Sequence, residues 1–413
     1  MRSHSWLRRL LAAILLIVAI GGIAVGGYFG GRAIFGPTKR AGQPAAPAPA
    51  PAPRITLREP TPQAVQDLGF PGFATNDTTR VGGADPAADA AGVALAVFPS
   101  TGGLAGPAAA SLVPASRWQV GIAAASLMAA PIRAPILISD TSAVPEVTTD
   151  ALRALAPAGS KATDGNQLFT FGPASAPRGP KTLSVGGSDP AALAAAIARL
   201  RQKLTGKPPD AFVVASSSDP AYAMPAAGWA ARSGDPVLFA GAGVAPAPTL
   251  RELHRDPSVP VYVLGPPGAV SDRAFTLIRK VAPRAKRIAA APHPVAASIA
   301  FARYASGGFG WNINDPGHGF VIANASRPLD AVAAAALSAS GTWGPLLVTT
   351  SSNAPPAPLR NYLLDLKPGY QNDPTRAVYN HVWLIGDAAA ISVGFQAQID
   401  DLAEAAKIGS VRP

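Results

Sequence analysis

The chain has 413 residues, 48% hydrophobic and only 14% charged, with 44 Pro and 41 Gly, which argues against disorder and leaves room for two or three packed domains. No Cys and only five scattered His (His4, His254, His293, His318, His381) exclude disulfides, thiolate chemistry and a zinc site built on a close His pair. The net charge of +11 is concentrated at the amino end: residues 1–60 hold eight Lys or Arg against Glu59 alone. The rest, with 27 bases and 23 acids, lacks the dense basic face that nucleic acid requires.

In chain order, Leu10–Gly31 is free of charge and, as a helix at about 1.5 Å per residue, spans about 33 Å, so it is read as a transmembrane anchor or signal segment. Arg8 and Arg9 before it place a short amino terminus in the cytoplasm and the long remainder outside, although Arg32, Lys39 and Arg40 follow it. Gly22, Gly26 and Gly30 form a small-residue stripe through which two such helices can pair as a homodimer. The Ala/Pro alternation of Ala41–Pro53 favours polyproline II, a stiff spacer of about 40 Å. The expected division is 1–9 cytoplasmic, 10–31 membrane or signal segment, 32–60 linker, and repeat modules at 61–180, 181–284 and 285–413.

The modules emerge from a long repeat. "RVGGADPAADAAGVALAV" at 80–97 returns as "SVGGSDPAALAAAIARL" at 184–200, and Asp85, Asp189 and His293 stand at equal steps of 104 residues, each before Pro. Each copy continues with short apolar runs: "ASLVPAS", "FVVASSS" and "FVIANAS", then "APILIS", "DPVLFA" and "GPLLVT", then "LFTFG", "VYVLG" and "VWLIG". Runs without polar alternation, separated by helical stretches, predict parallel strands buried on both faces, so each copy is a small doubly wound α/β sheet. The third copy adds two insertions, 307–319 and 367–381.

This series resembles the cell wall-binding repeat, type 2, found in threes on Gram-positive surface proteins. The residues that carry it are "TTRVGGADPAADAA", "PLDAVAAAAL" (328–337), "APILIS", "GPLLVT" and "VYVLGPPGAVS", over about residues 78–405. The resemblance implies three modules of flavodoxin-like topology in a pseudo-threefold disc, preceded here by a transmembrane helix, and non-covalent attachment to anionic wall polymers or peptidoglycan. Pro86, Pro190 and Pro294 stand where the family usually has a basic residue, and the Asp-Ala helix start survives clearly only at Asp330, with Gln119 and Tyr222 at the nearest matching positions.

Two readings compete at each candidate site. The turns after the second apolar strand lie beyond carboxyl strand ends, where open α/β sheets bind ligands, so Arg117, Gln119, Tyr222, Arg327 and Asp330 are ligand candidates; equally, each Arg makes an ion pair and Asp330 caps a helix. Trp311, Asn312, Asn314, His318, Tyr370, Asn372, Tyr379 and His381 offer an aromatic and amide mix suited to sugars, or anchor their own loops. The Gly-Gly turns are tight turns capped by Asp85 and Asp189, lacking the spacing of a dinucleotide site, so no cofactor is expected. No GxSxG elbow or other catalytic motif occurs. The expectation is a membrane-tethered extracytoplasmic wall-binding protein, with a wall hydrolase or an envelope scaffold as alternatives. Arg327→Ala is expected to weaken binding more than Arg117→Ala, with the fold surviving both.

Overall fold

Short apolar strands closed by Gly and helices opened by Asp-Pro recur through the computed structural model of the protein, which describes residues 73–98, 106–340 and 342–408, all within the unit Arg58–Pro413. The chain begins with β1 (Phe73–Ala74), β2 (Thr78–Val81) and α1 (Pro86–Val97). Next come β3 (Ala110–Pro114), α2 (Trp118–Ala124), β4 (Ile136–Ser139), α3 (Glu146–Leu155), β5 (Leu168–Phe171) and β6 (Thr182–Val185). The middle part holds α4 (Pro190–Thr205), β7 (Phe212–Ser216), α5 (Pro220–Ala223), α6 (Pro225–Ser233), β8 (Val237–Ala240), α7 (Ala247–Arg255), β9 (Val261–Leu264), α8 (Asp272–Val281) and β10 (Lys286–Ile288). The last part holds α9 (Pro294–Arg303), β11 (Gly319–Asn324), α10 (Pro328–Ala339), β12 (Leu346–Thr349), α11 (Ala357–Asp365), β13 (Gly369–Tyr370), β14 (His381–Ile385), α12 (Val393–Ala403) and β15 (Ala406–Lys407).

The repeated openings fold as capped helix starts. Pro at the first helical position has no N–H to lose, and the preceding Asp takes up the free donors of the first turn. Asp85 accepts from the N–H groups of Ala87 at 2.8 Å and Ala88 at 3.0 Å, and Asp189 from that of Ala192 at 2.9 Å, whereas His293 makes no side-chain cap. Gly83 is required by crowding: a Cβ there would lie 2.5 Å from the Asp89 nitrogen.

Three main sheets result. The first runs β4-β3-β5-β6 and the second β8-β7-β9-β10, both wholly parallel. The third runs β12-β11-β14-β2-β1, parallel except for β1, and a two-stranded pairing joins β13 to β15. The sequence period and the sheet period are therefore out of phase by one strand. The strand that opens a repeat in the sequence completes the sheet of the repeat before it: β6 lies on β5, and β10 lies on β9. In the third sheet the place is filled from the amino end by β2, with Thr78 opposite Val382 and Val81 opposite Ile385. The ring of sheets thus closes head to tail.

The helices that follow β3, β7 and β11 meet at the centre. α10 packs on both α6 and α2, and α2 touches α6. Every residue of α10 from Asp330 to Ser338 is buried, so its Ala-rich sequence, apolar on nearly all sides, suits a helix enclosed by protein. Small residues permit the close approach: a Cβ on Gly121 would lie 2.5 Å from a methyl of Val332, and one on Gly228 would lie 2.8 Å from the Ser338 hydroxyl.

The expected fold class is corrected in one respect. The α/β architecture with parallel sheets is present, but no helix among the described residues is long and apolar enough to cross a membrane, so the preceding transmembrane helix is not supported. That expectation fell on residues 10–31, which lie outside the described residues, as do the linker and the small-residue stripe.

Candidate functional site

In each sheet the first two strands of the module diverge to opposite sides, leaving a crevice beyond the carboxyl ends of β3 and β5, of β7 and β9, and of β11 and β14. In the third sheet this crevice is filled by ions. The Arg327 guanidinium, just before α10, reaches Asp330 through Nε at 2.8 Å, Asp387 through Nη1 at 3.1 Å and Asp89 of α1 through Nη2 at 3.2 Å. Asp89 and Asp330 are fully buried, and the Arg327 side chain is 22% exposed. Asp89 also accepts from the Gly83 N–H at 2.7 Å, and Asp387 from the Ala390 N–H at 3.0 Å. Beside them the buried Arg80 donates to the carbonyls of Gly386 at 2.9 Å and Asp387 at 3.0 Å, and to Gln396 at 2.9 Å.

Three carboxylates share two guanidinium groups here, and burial decides who keeps a proton. Desolvation pushes Asp330 up to about 7, with Arg327 opposing. Burial and the neighbouring Asp330 raise Asp89 well above the usual carboxylate range, against the Gly83 N–H and Arg327. Neither oxygen of Asp330 meets hydrogen-bond geometry, although its Oδ2 is within ion-pair distance of Arg327. This carboxyl therefore gains and loses its proton within the neutral range. Burial lowers Arg80 to about 10 while Asp387 and Asp89 pull the other way. For Arg327 burial alone lowers the pKa, but Asp330, Asp89 and Asp387 outweigh it and raise it.

The same places elsewhere carry different chemistry. In the first crevice Arg117 stands where Arg327 does, but Val120, Pro173 and Leu193 replace the three acids; in the second, Asp219, Tyr222, Pro266 and Ala297 occupy the four positions. Arg117 is half-buried, and its side chain makes no hydrogen bond or ion pair among the described residues. It helps lower the pKa of Asp189, which is held down chiefly by the Ala192 N–H. Gln119 donates through Nε2 to the Ser217 carbonyl at 3.0 Å, and the Tyr222 hydroxyl donates to the Pro292 carbonyl at 2.5 Å.

The candidates from the third-copy insertions part company. Trp311 is buried against Trp229, with ring centroids 5.4 Å apart, and the Arg232 guanidinium lies 5.2 Å above its ring. Asn312 is exposed, in a left-handed conformation, and accepts from Asn314 at 3.3 Å. His318 bonds Asp315 at 3.1 Å and lines an open cleft of ≈ 680 Å³ together with Tyr379, His381 and Trp383. The structure thus unites Arg327 with Asp330, and His318 with Tyr379 and His381, while Arg117, Gln119 and Tyr222 serve the other crevices.

Sequence reasoning missed Asp89, Asp387 and Arg80. One signal was available: Asp89 is a lone acid inside an Ala-rich apolar helix. It also missed a second cleft of ≈ 390 Å³ at the carboxyl end of α4, lined by Arg199, Lys203, Lys207 and Arg255. Arg199 and Arg255 share the buried Glu252, at 2.8 and 3.8 Å, leaving positive charge in excess.

This cleft, most of the second crevice and most of the second sheet fall in one stretch of sequence with a recognisable pattern. Residues 184–275 match the family model of Cell wall binding domain 2 (CWB2). The expected resemblance is borne out there. Two solved structures share the fold of a larger part of the chain: Cwp6 from Clostridium difficile, at 17% identity over 79% of this chain and 47% of that one with a TM-score of 0.61, and Cwp8 from Clostridium difficile, at 18% identity over 80% and 52% with a TM-score of 0.58. The chain spans about half the length of these structures. A search of curated proteins gives no match. Together, the CWB2 match and the shared fold support a cell-wall-binding role.

Proposed function

We propose that the chain is an extracytoplasmic protein that holds non-covalently to an anionic polysaccharide of the cell wall. The observation that carries this reading is the CWB2 match over residues 184–275, and the chemistry of that segment fits it. Arg199, Lys203, Lys207 and Arg255 line one cleft within it, and phosphate or carboxylate groups along a polymer would be held there by charge-assisted hydrogen bonds. Of the site residues read from the sequence, Arg117 retains donors for such a ligand, whereas Arg327 has committed its own to three carboxylates.

The test is retention of the full chain on purified wall before and after the anionic polymers are stripped. Retention on intact wall, loss on stripped wall and weakening with added salt are expected, since exposed charges are screened within about 10 Å at 0.1 M salt. Equal retention on both walls, or none on either, refutes the reading.

A further inference from the structure

A second, chemically different cleft lies at the opposite end of the third sheet. Arg327 and Asp387 follow the carboxyl ends of β11 and β14, whereas the ≈ 680 Å³ cleft is built around Gly319 and His381, the first residues of those strands. The two insertions found only in the third repeat both end here. They are pinned to one another by Asn380, which is fully buried: its Oδ1 accepts from the N–H groups of Gly317 at 2.9 Å and His318 at 3.1 Å, and its Nδ2 donates to the Leu366 carbonyl at 2.9 Å. The next residue towards the amino end, Tyr379, is 69% exposed on the wall of the cleft. On the other side of Asn380, His381 is tied to Thr79 of β2 at 2.9 Å.

A large aromatic ring held in solvent by a rigid, fully bonded support is unfavourable for the free protein and useful to a ligand, because the wall is already ordered before binding. The lining gives the ligand's character. It presents the rings of His318, Tyr379, His381 and Trp383 with the Thr342 hydroxyl, and no Lys, Arg, Asp or Glu. Burial lowers the pKa of His381, so that ring is neutral at neutral pH. The lining offers no Lys or Arg to select an anion, and the Asp315 carboxylate beside it is already bonded to His318. The cleft suits a molecule with apolar C–H faces and several hydroxyls, and its volume falls in the roughly 300–1,000 Å³ range of ligand sites.

We infer that this cleft binds a pyranose unit of an uncharged oligosaccharide, stacked on Tyr379 and hydrogen-bonded by the His318 and His381 imidazoles. This goes beyond the anionic-polymer reading and stands apart from it, since the cleft lies outside residues 184–275 and shares no residue with the basic cleft.

The test screens the full chain against an array of uncharged hexose, deoxyhexose and N-acetylhexosamine oligosaccharides, followed by calorimetric titration of the best ligand. Saturable binding is expected, weakened at least about tenfold by Tyr379→Ala and kept within about twofold by Tyr379→Phe, which preserves the stacking face. Trp343→Ala removes another exposed aromatic, one outside the cleft lining, and is expected to change nothing. Retention of the same variants on intact wall separates the two readings, because Tyr379→Ala leaves the basic cleft untouched. The inference is overturned if no saccharide on the array binds, if Tyr379→Ala binds as tightly as the wild type, or if Trp343→Ala weakens binding as much as Tyr379→Ala.

Discussion

Replacing Arg327 by Ala is expected to destabilise the fold at neutral pH, and the size of the loss follows from what its three partners are left with. Asp387 is 38% exposed and can recover water, so its arm is worth little. Asp89 and Asp330 cannot, because both carboxylates are fully buried. Removing one member of a buried ion pair typically costs about 3–5 kcal/mol. Here the lower end applies, since Arg80 remains close and Asp330, pushed up to about 7, can escape by keeping its proton. A loss of about 3 kcal/mol at pH 8 is a large share of the roughly 5–15 kcal/mol that holds an ordinary domain together. At pH 5 Asp330 keeps its proton in the variant and burial favours a proton on Asp89 as well, so less charge is stranded and the loss should shrink to about 1 kcal/mol, the worth of the remaining hydrogen bonding. Urea unfolding of the wild type and Arg327→Ala at the two pH values measures both figures. A variant as stable as the wild type at pH 8, or a loss that does not change with pH, would refute the account.

The wild type itself should lose stability as pH rises towards neutrality through Asp330. Its folded pKa, about 7, lies above an unfolded value of about 3.9, so its contribution is complete below about pH 4 and gone above about 7; Asp330→Asn should flatten that slope in urea titrations from pH 4 to 8, and an unchanged slope would place the titration elsewhere. Gly121→Val adds atoms where a Cβ already lies 2.5 Å from Val332 and should cost about 1–3 kcal/mol in urea unfolding; a neutral effect would show that the central helices move apart easily. Replacing the cluster as a unit, as Arg327→Met with Asp89→Leu, Asp330→Val and Asp387→Leu, should leave equilibrium stability within about 1 kcal/mol of the wild type or above it, but lower the monomer yield on dilution from urea, read by size exclusion. A yield equal to that of the wild type would remove any pairing role from the ion cluster.

The fold was legible where one residue type has one structural use. Asp-Pro marked helix starts at 85–86 and 189–190, unalternated apolar runs marked the buried strands, and Gly closed three of them. The phase of the sheets was not legible, because strand pairing is set in space: nothing local to "TTRV" says that its partner is "HVWLI" some three hundred residues away rather than a strand of its own repeat. The site was half legible for the same reason. Arg327 and Asp330 are neighbours along the chain, but Asp89 and Asp387 reach them only through ring closure, and their presence turns an exposed anion-binding Arg into an internal ion pair. His318, Tyr379 and His381 come from two separate insertions, which meet through the pairing of β11 with β14 and through buried Asn380, contacts that nothing local in the sequence announces.

The placement of charge around the ring follows from how each sheet is completed. β5 and β6, and β9 and β10, are near neighbours in sequence, so the closing strand finds its sheet at little entropic cost and apolar residues, Leu193 and Ala297, are enough where the next helix faces the crevice. β2 has no such neighbour. It must choose β14 over two other parallel edges built to the same pattern, and hydrophobic packing discriminates poorly among similar apolar partners. A buried Arg with three acids discriminates against the second crevice, where Asp219 stands in place of Arg327 and Asp89 would be buried beside another acid without a cation. The chemistry that in the sequence resembles a ligand site thus sits at the one seam where the ring is closed by distant parts of the chain.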